Sequence, residues 1–183
     1  MKNSESATKA TYQPTRALSS GFEWVSAAIA ALVFVALFFS LAFRIVTVSG
    51  DSMKNTLQDG ERLLLTGMFY TPEHGDIVVV RRTGDTPLIK RVIGLPGDCI
   101  RIDAENGLVY RNGWPLTETY IRGNRTPTNG MTEEITIPQG MLFVMGDNRS
   151  ESLDSRMLGP VSMDDLVGKV FFRISPSFGK VGE

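Results

Sequence analysis

The chain has 183 residues, a net charge of −1, 21% charged and 42% hydrophobic residues. That is room for one ordinary domain plus an anchor, and the near-neutral charge leaves no electrostatic footprint for nucleic acid. A single Cys excludes an internal disulfide and hence a disulfide-stapled secreted scaffold, and a single His narrows the choice of catalytic base.

Residues 1–21 are polar, Ser/Thr-rich and aperiodic, and read as a disordered tail. Trp24 to Phe43 runs for 20 residues without a charge, bracketed by Glu23 and Arg44. A helix of that length spans about 30 Å, the thickness of a bilayer core. A cleaved signal peptide would have an apolar run of about 7–15 residues near the N-terminus; this one is longer and lies deeper. It reads as a retained transmembrane helix over residues 22–43, with Trp24 at an interfacial position. Lys2, Lys9 and Arg16 on one side balance Arg44, Lys54 and Arg62 on the other, so charge alone leaves the orientation open.

Beyond Arg44, short apolar runs alternate with Gly, Pro, Asp and Asn. Ile45–Val48, Arg62–Leu65, Asp76–Val80, Leu88–Gly94, Cys99–Ile102, Leu108–Asn112, Glu134–Ile137, Met141–Gly146 and Lys169–Ile174 all suit strands. Only Ser162–Val167 reads as a helical turn, and Arg122–Thr132 as a long surface loop. The expectation is a mostly β domain of barrel or sandwich character over residues 44–178, behind one N-terminal transmembrane helix. Residues 179–183 read as a C-terminal tail.

Ser52, in SGDSMKNTLQDG, is a nucleophile only if a base takes its proton. His74, the one histidine, lies in PEHGD and reads as a turn residue at the start of a strand. One His and one Cys without paired spacing make a zinc site unsupported. Five of the ten Asp residues follow Gly, where turn chemistry accounts for them. Lys90 differs, because it lies inside the apolar run LIKRVIG. On a strand it shares a face with Leu88 and Val92, while Ile89, Arg91 and Ile93 face the other way. Two readings stand: a buried lysine whose pKa falls until it can act as a base, or a snorkelling lysine on an edge strand. The stretch MGDNRSESLDSR (Met145–Arg156) crowds polar residues behind a hydrophobic run. Its spacings suit Asp147/Arg149 and Asp154/Arg156 pairs that stiffen a loop, and rigid polar loops on a β scaffold are where sites are built.

Taken in order, the anchor, GDSMKNTL (Gly50–Leu57), GDIVV (Gly75–Val79), IKRVIGLPGD (Ile89–Asp98) and MGDNRSESLDSR closely resemble bacterial type I signal peptidases, the Ser/Lys enzymes of peptidase family S26. The likeness runs from the anchor to about Ile174. It implies a serine endopeptidase that removes signal peptides from exported preproteins after small residues, at Ala-X-Ala sites, and needs no cofactor or metal. It implies Ser52 as nucleophile, Lys90 as general base, and Ser152 as the hydroxyl that orients the lysine. Asp154 and Arg156 become a supporting ion pair, with Arg91 and Asp147 nearby, and Met53 part of the apolar wall. Gly50 and Asp51 fall in the oxyanion and substrate-binding stretch. The family's oxyanion hole uses the nucleophile's own N–H, and some members add a side-chain hydroxyl two residues earlier. Gly50 lacks it, so backbone or water is expected to serve.

One departure is Asn55 where the family usually has Pro, which leaves the loop less stiff. The resemblance places the N-terminus in the cytoplasm and the catalytic domain outside the bacterial plasma membrane. The partners it implies are preproteins and membrane lipid, with no nucleic acid and a monomeric enzyme. Cys99 carries no assigned role. Two other readings are another Ser/Lys peptidase on a similar scaffold, such as the self-cleaving repressors, and a non-catalytic anchored β domain.

Overall fold

The computed structural model describes residues 16–67, 70–82, 84 and 86–181, with side chains of the first helix from Gly21 onward. The chain divides into two compact units, residues 1–41 and 42–183. The first holds helix α1, Arg16–Ala42. Its stretch Gly21–Ala42 is 22 residues long and apolar enough to cross a membrane by length and composition. The helix begins at Arg16, inside the segment expected as tail: Ala17 and Leu18 are good helix formers and extend the ladder backwards. Residues 1–15 of that expected tail lie outside the described residues.

The second unit is mostly β, as expected. Strands β1 (Phe43–Thr47), β2 (Arg62–Thr66), β3 (Ile77–Val80) and β4 (Leu88–Gly94) come first. They are followed by β5 (Cys99–Ile102), β6 (Val109–Arg111), β7 (Trp114–Pro115), β8 (Ile135–Thr136) and β9 (Met141–Met145). The one-turn helix α2 (Ser155–Leu158) precedes β10 (Val161–Ser162), β11 (Leu166–Ser175) and β12 (Gly179–Lys180). Eight strands form an antiparallel sheet in the order β1-β2-β11-β3-β4-β9-β10, with β12 beside β11; four more form a second sheet, β7-β6-β5-β8.

Several boundaries move. Phe43, expected in the membrane helix, opens β1, where it pairs with Thr66 and its ring meets Phe171 at 5.8 Å. Apolar content alone does not mark where a helix yields to a strand. Of the helical turn expected at Ser162–Val167, only Met163–Asp165 is a 3₁₀ turn. Leu166 already starts β11, whose Leu166 pairs with Val80. The expected C-terminal tail contains β12, paired through Lys180 with Phe172. The Arg122–Thr132 segment is an irregular, largely exposed loop, as expected, and it is anchored at Thr126, which is 2% exposed and donates its N–H to Gly107 O at 2.8 Å.

Strand β4 positions the chemistry. It lies between β3 and β9, not at an edge, with Lys90 opposite Val78, and Arg91 between Ile77 and Met145. Residues Ile89 to Gly94 are all buried. Ile89 joins a cluster with Met53, Leu57, Leu63 and Ile77, whereas Val92 packs with Val78 and Val144. The edge-strand reading of Lys90 therefore fails, because an interior strand offers no water to snorkel into. A register shift between Val92 and Gly94 turns the strand towards the second sheet. Gly94 ends it where a Cβ would displace the end of the Ile137 side chain and crowd Ile100, so glycine lets the two sheets approach closely at that point.

Candidate active site

Residues 51–57 follow β1 as a tight turn. Lys54 N–H donates to Asp51 O at 3.0 Å and Leu57 N–H to Met53 O at 2.8 Å. Burying Met53 (1% exposed) and Leu57 (0%) in the first core cluster pins the turn, leaving Ser52, just before Met53, half-buried. Lys90 reaches it from β4: Nζ donates to Ser52 Oγ at 2.7 Å and to Ile89 O at 3.0 Å. Lys90 is 2% exposed. Burial disfavours its charge and lowers its pKa from 10.5 to about 8, although the Asp154 and Asp147 carboxylates pull the other way. An amine that loses its proton near pH 8 can accept the Ser52 hydroxyl proton at this distance.

Ser52, Met53 and Lys90 line one cleft of about 240 Å³ together with Val46–Ser49 and Thr86–Ile89. The cleft borders β1, the last strand of the sheet order. An extended peptide can add at such an edge.

The Met145–Arg156 stretch surrounds the pair. Asp154 and Arg156 pair as expected, Nε to Oδ1 and Nη2 to Oδ2 both at 2.8 Å, both side chains fully buried. Burial alone would raise the Asp154 carboxyl, but the Arg156 guanidinium, together with Ser152 and the Gly146 N–H, offsets it and holds it below its ordinary value. Arg156 also donates to Pro127 O and Arg149 O, tying the polar insert to the site.

The expected Asp147/Arg149 pair is not formed. Asp147 takes a bidentate pair from Arg91, Nε at 2.9 Å and Nη2 at 2.6 Å, and also accepts the Thr56 hydroxyl. Arg149, 0% exposed, forks instead onto Glu118 and donates to Thr126 Oγ1 at 2.6 Å. A carboxylate two residues away points elsewhere, and the partner came from 31 residues upstream. Tyr120 adds its ring, 3.9 Å from the Arg91 guanidinium, and its hydroxyl donates to Glu118. Glu118, Tyr120 and Thr126 carried no local sequence signal.

Ser152 departs from its expected role. Lys90 makes no hydrogen bond to it; the buried Ser152 Oγ has no partner in hydrogen-bonding geometry, although its dipole helps hold Asp154 low. Ser152 packs instead against Gly146. A Cβ on Gly146 would strike both Ser152 and the Ser52 carbonyl, so glycine is required there.

Gly50 N–H donates to Asp59 Oδ1 at 2.7 Å and is thereby occupied. The Asp51 carboxylate pairs with Lys54. Asn55 stands at φ +85°, a conformation proline cannot adopt, and its Nδ2 donates to Ile121 O at 3.1 Å. The loop is therefore held there by a different device from the proline of the family pattern, and not simply loosened. His74 meets Asp98 at 2.6 Å, away from Ser52, as a staple of the turn before β3 and the turn before β5. Cys99 lies beside Thr136 Oγ1 at 3.3 Å. Among the described residues no group of three His, Cys, Asp or Glu is placed to hold a metal ion.

Residues 21–175 match the family model described as signal peptidase, peptidase S26. The chain is similar to Signal peptidase I of Bacillus licheniformis, 37% identical over 176 residues, covering 88% of this chain and 92% of that one. It is similar to Probable signal peptidase I-1 of Synechocystis sp., 35% identical over 170 residues, covering 82% and 84%. Among solved structures, a signal peptidase I from Enterococcus faecalis V583 is 29% identical, with a TM-score of 0.46, covering 55% of this chain and 97% of that one.

Proposed function

The chain belongs to the signal peptidase family, peptidase S26, and from that premise we propose that it cuts signal peptides from exported preproteins with a Ser52/Lys90 dyad while held in the membrane by α1. Membership makes it a serine peptidase, a hydrolase acting on preproteins that carry signal peptides. The observation that carries the dyad is the 2.7 Å contact between Lys90 Nζ and Ser52 Oγ, with the lysine buried.

Neutral Lys90 accepts the Ser52 proton as Oγ attacks the scissile carbonyl. The oxyanion forms against the Ser52 N–H. Lys90 then hands the proton to the leaving amine, releasing the mature protein, and a water activated by the same amine hydrolyses the acyl-enzyme. The 240 Å³ cleft, walled by Val46, Val48, Met53 and Ile89, supports selection of small residues such as Ala before the cut. The supporting set is Asp154, Arg156, Arg91 and Asp147, which rigidify the surroundings of Lys90. The enzyme acts as a monomer, with the N-terminus cytoplasmic and the peptidase domain beyond the plasma membrane. No cofactor is invoked.

The test is preprotein cleavage by the purified enzyme in detergent. Ser52→Ala and Lys90→Met are each expected to lose at least 10³-fold in rate; wild-type rates in either would remove the dyad. Covalent labelling of Ser52 by a serine-directed acylating agent separates an active peptidase from a non-catalytic binding domain.

A further inference from the structure

The residue that sets the oxyanion donor in place is not in the dyad or its ion pairs. We infer that Asn148 is a positioning residue that aims the Ser52 N–H, an inference that rests on Ser52 being the nucleophile. Asn148 is 3% exposed and grips the nucleophile turn twice. Its Nδ2 donates to Asp51 O at 3.0 Å, and its backbone N–H donates to Ser52 O at 2.9 Å.

The Asp51 carbonyl and the Ser52 N–H belong to one planar peptide unit and point in opposite directions. Holding the carbonyl oxygen therefore holds the direction of the N–H. A hydrogen bond to that carbonyl also polarises the amide and makes its N–H a better donor. The second bond fixes the next peptide plane, so both planes flanking Ser52 are set by one residue. The Ser52 N–H donates to no acceptor among the described residues and is free for a developing oxyanion. Position 50 is glycine, so no side-chain hydroxyl there can share the work. Asn148 Nδ2 is itself oriented by Glu151 Oε2 at 3.1 Å.

The experiment compares wild type, Asn148→Ala and the isosteric Asn148→Asp, whose carboxylate cannot donate to Asp51 O. Rates on a signal-sequence peptide are normalised to folded enzyme, taken from thermal-unfolding amplitude, so partial misfolding of one variant does not blur the result. The expected outcome is a 10- to 100-fold lower kcat with KM within twofold, and in Asn148→Ala an apparent pKa unchanged from that measured for wild type. A peptide aldehyde, whose adduct carries the oxyanion, should weaken by the same factor as kcat/KM. Wild-type kcat, a loss confined to KM, unchanged aldehyde affinity, or a displaced pKa in Asn148→Ala would each overturn the inference. Ser52→Ala and Lys90→Met run alongside: if both are inactive while Asn148→Ala is normal, only this inference fails. If either keeps wild-type rates, the dyad fails first and this inference falls with it.

Discussion

Lys90 shows how much one buried residue alters. Its folded pKa of about 8 lies below the ordinary 10.5. As the base it must be neutral, so activity should climb roughly tenfold per pH unit below pH 8 and level off above it. The same shift acts on stability. Between about pH 8 and 10.5 the unfolded chain binds a proton that the folded chain does not, so wild-type stability rises with pH across that window. Below pH 8 the burial penalty is fully present. Lys90→Met carries no such penalty, so its melting temperature should exceed that of wild type below pH 8, with the gap narrowing as pH climbs to 10.5. Parallel thermal melts from pH 6 to 10 check this, and a gap that never narrows would count against a titrating Lys90. Asn55 makes a second residue-scale prediction. Its φ of +85° excludes proline, so Asn55→Pro, although it restores the family pattern, should destabilise by at least about 1 kcal/mol in urea unfolding. Gly146→Ala drives a methyl into the Ser52 carbonyl. It should cost about 1–3 kcal/mol as overpacking and lower cleavage more than Asn55→Pro does.

At the scale of elements, β4 and the stretch after β9 work as a pair. The apolar run LIKRVIG marked β4 to the residue, because hydrophobic runs between turn signals are local properties. The crowding of Asp, Asn, Arg and Ser in residues 145–156 marked the other half. Which carboxylate meets which guanidinium was not legible. Spacing favoured Asp147 for Arg149, whereas the fold delivers Arg91 to Asp147 and Glu118 to Arg149. Removing one partner of such a fully buried pair leaves an uncompensated charge, at a cost of about 3–5 kcal/mol. A double-mutant cycle between Glu118→Ala and Arg149→Ala should therefore show a coupling of 1 kcal/mol or more, and the cycle between Asp147→Ala and Arg149→Ala much less. The reverse order of couplings would restore the pairing that spacing favoured.

The whole chain joins an apolar helix to a β unit by a short covalent path: α1 ends at Ala42 and β1 begins at Phe43. Ala42 is buried in the second unit, so residues 1–41 are the piece that can be removed. A chain lacking them is expected to cleave a soluble signal-sequence peptide within a few-fold of the full-length rate. On a preprotein embedded in vesicles it should be at least tenfold slower, because the anchor raises the local concentration of enzyme at the bilayer. Equal rates on the vesicle substrate would deny the anchor that role. The sequence alone determined the apolar span, the mostly β class, most strand positions, and the motif order that pointed to Ser52 and Lys90. These are legible because hydrophobic periodicity and turn chemistry depend on near neighbours. Only the tertiary structure decided that β4 is interior, that Lys90 is dry enough to titrate near pH 8, that Ser152 leaves the lysine alone, and that Asn148 holds the Ser52 peptide. Those outcomes depend on burial and on partners 31 to 97 residues apart, and no local pattern encodes the dielectric around a group or the charge brought beside it.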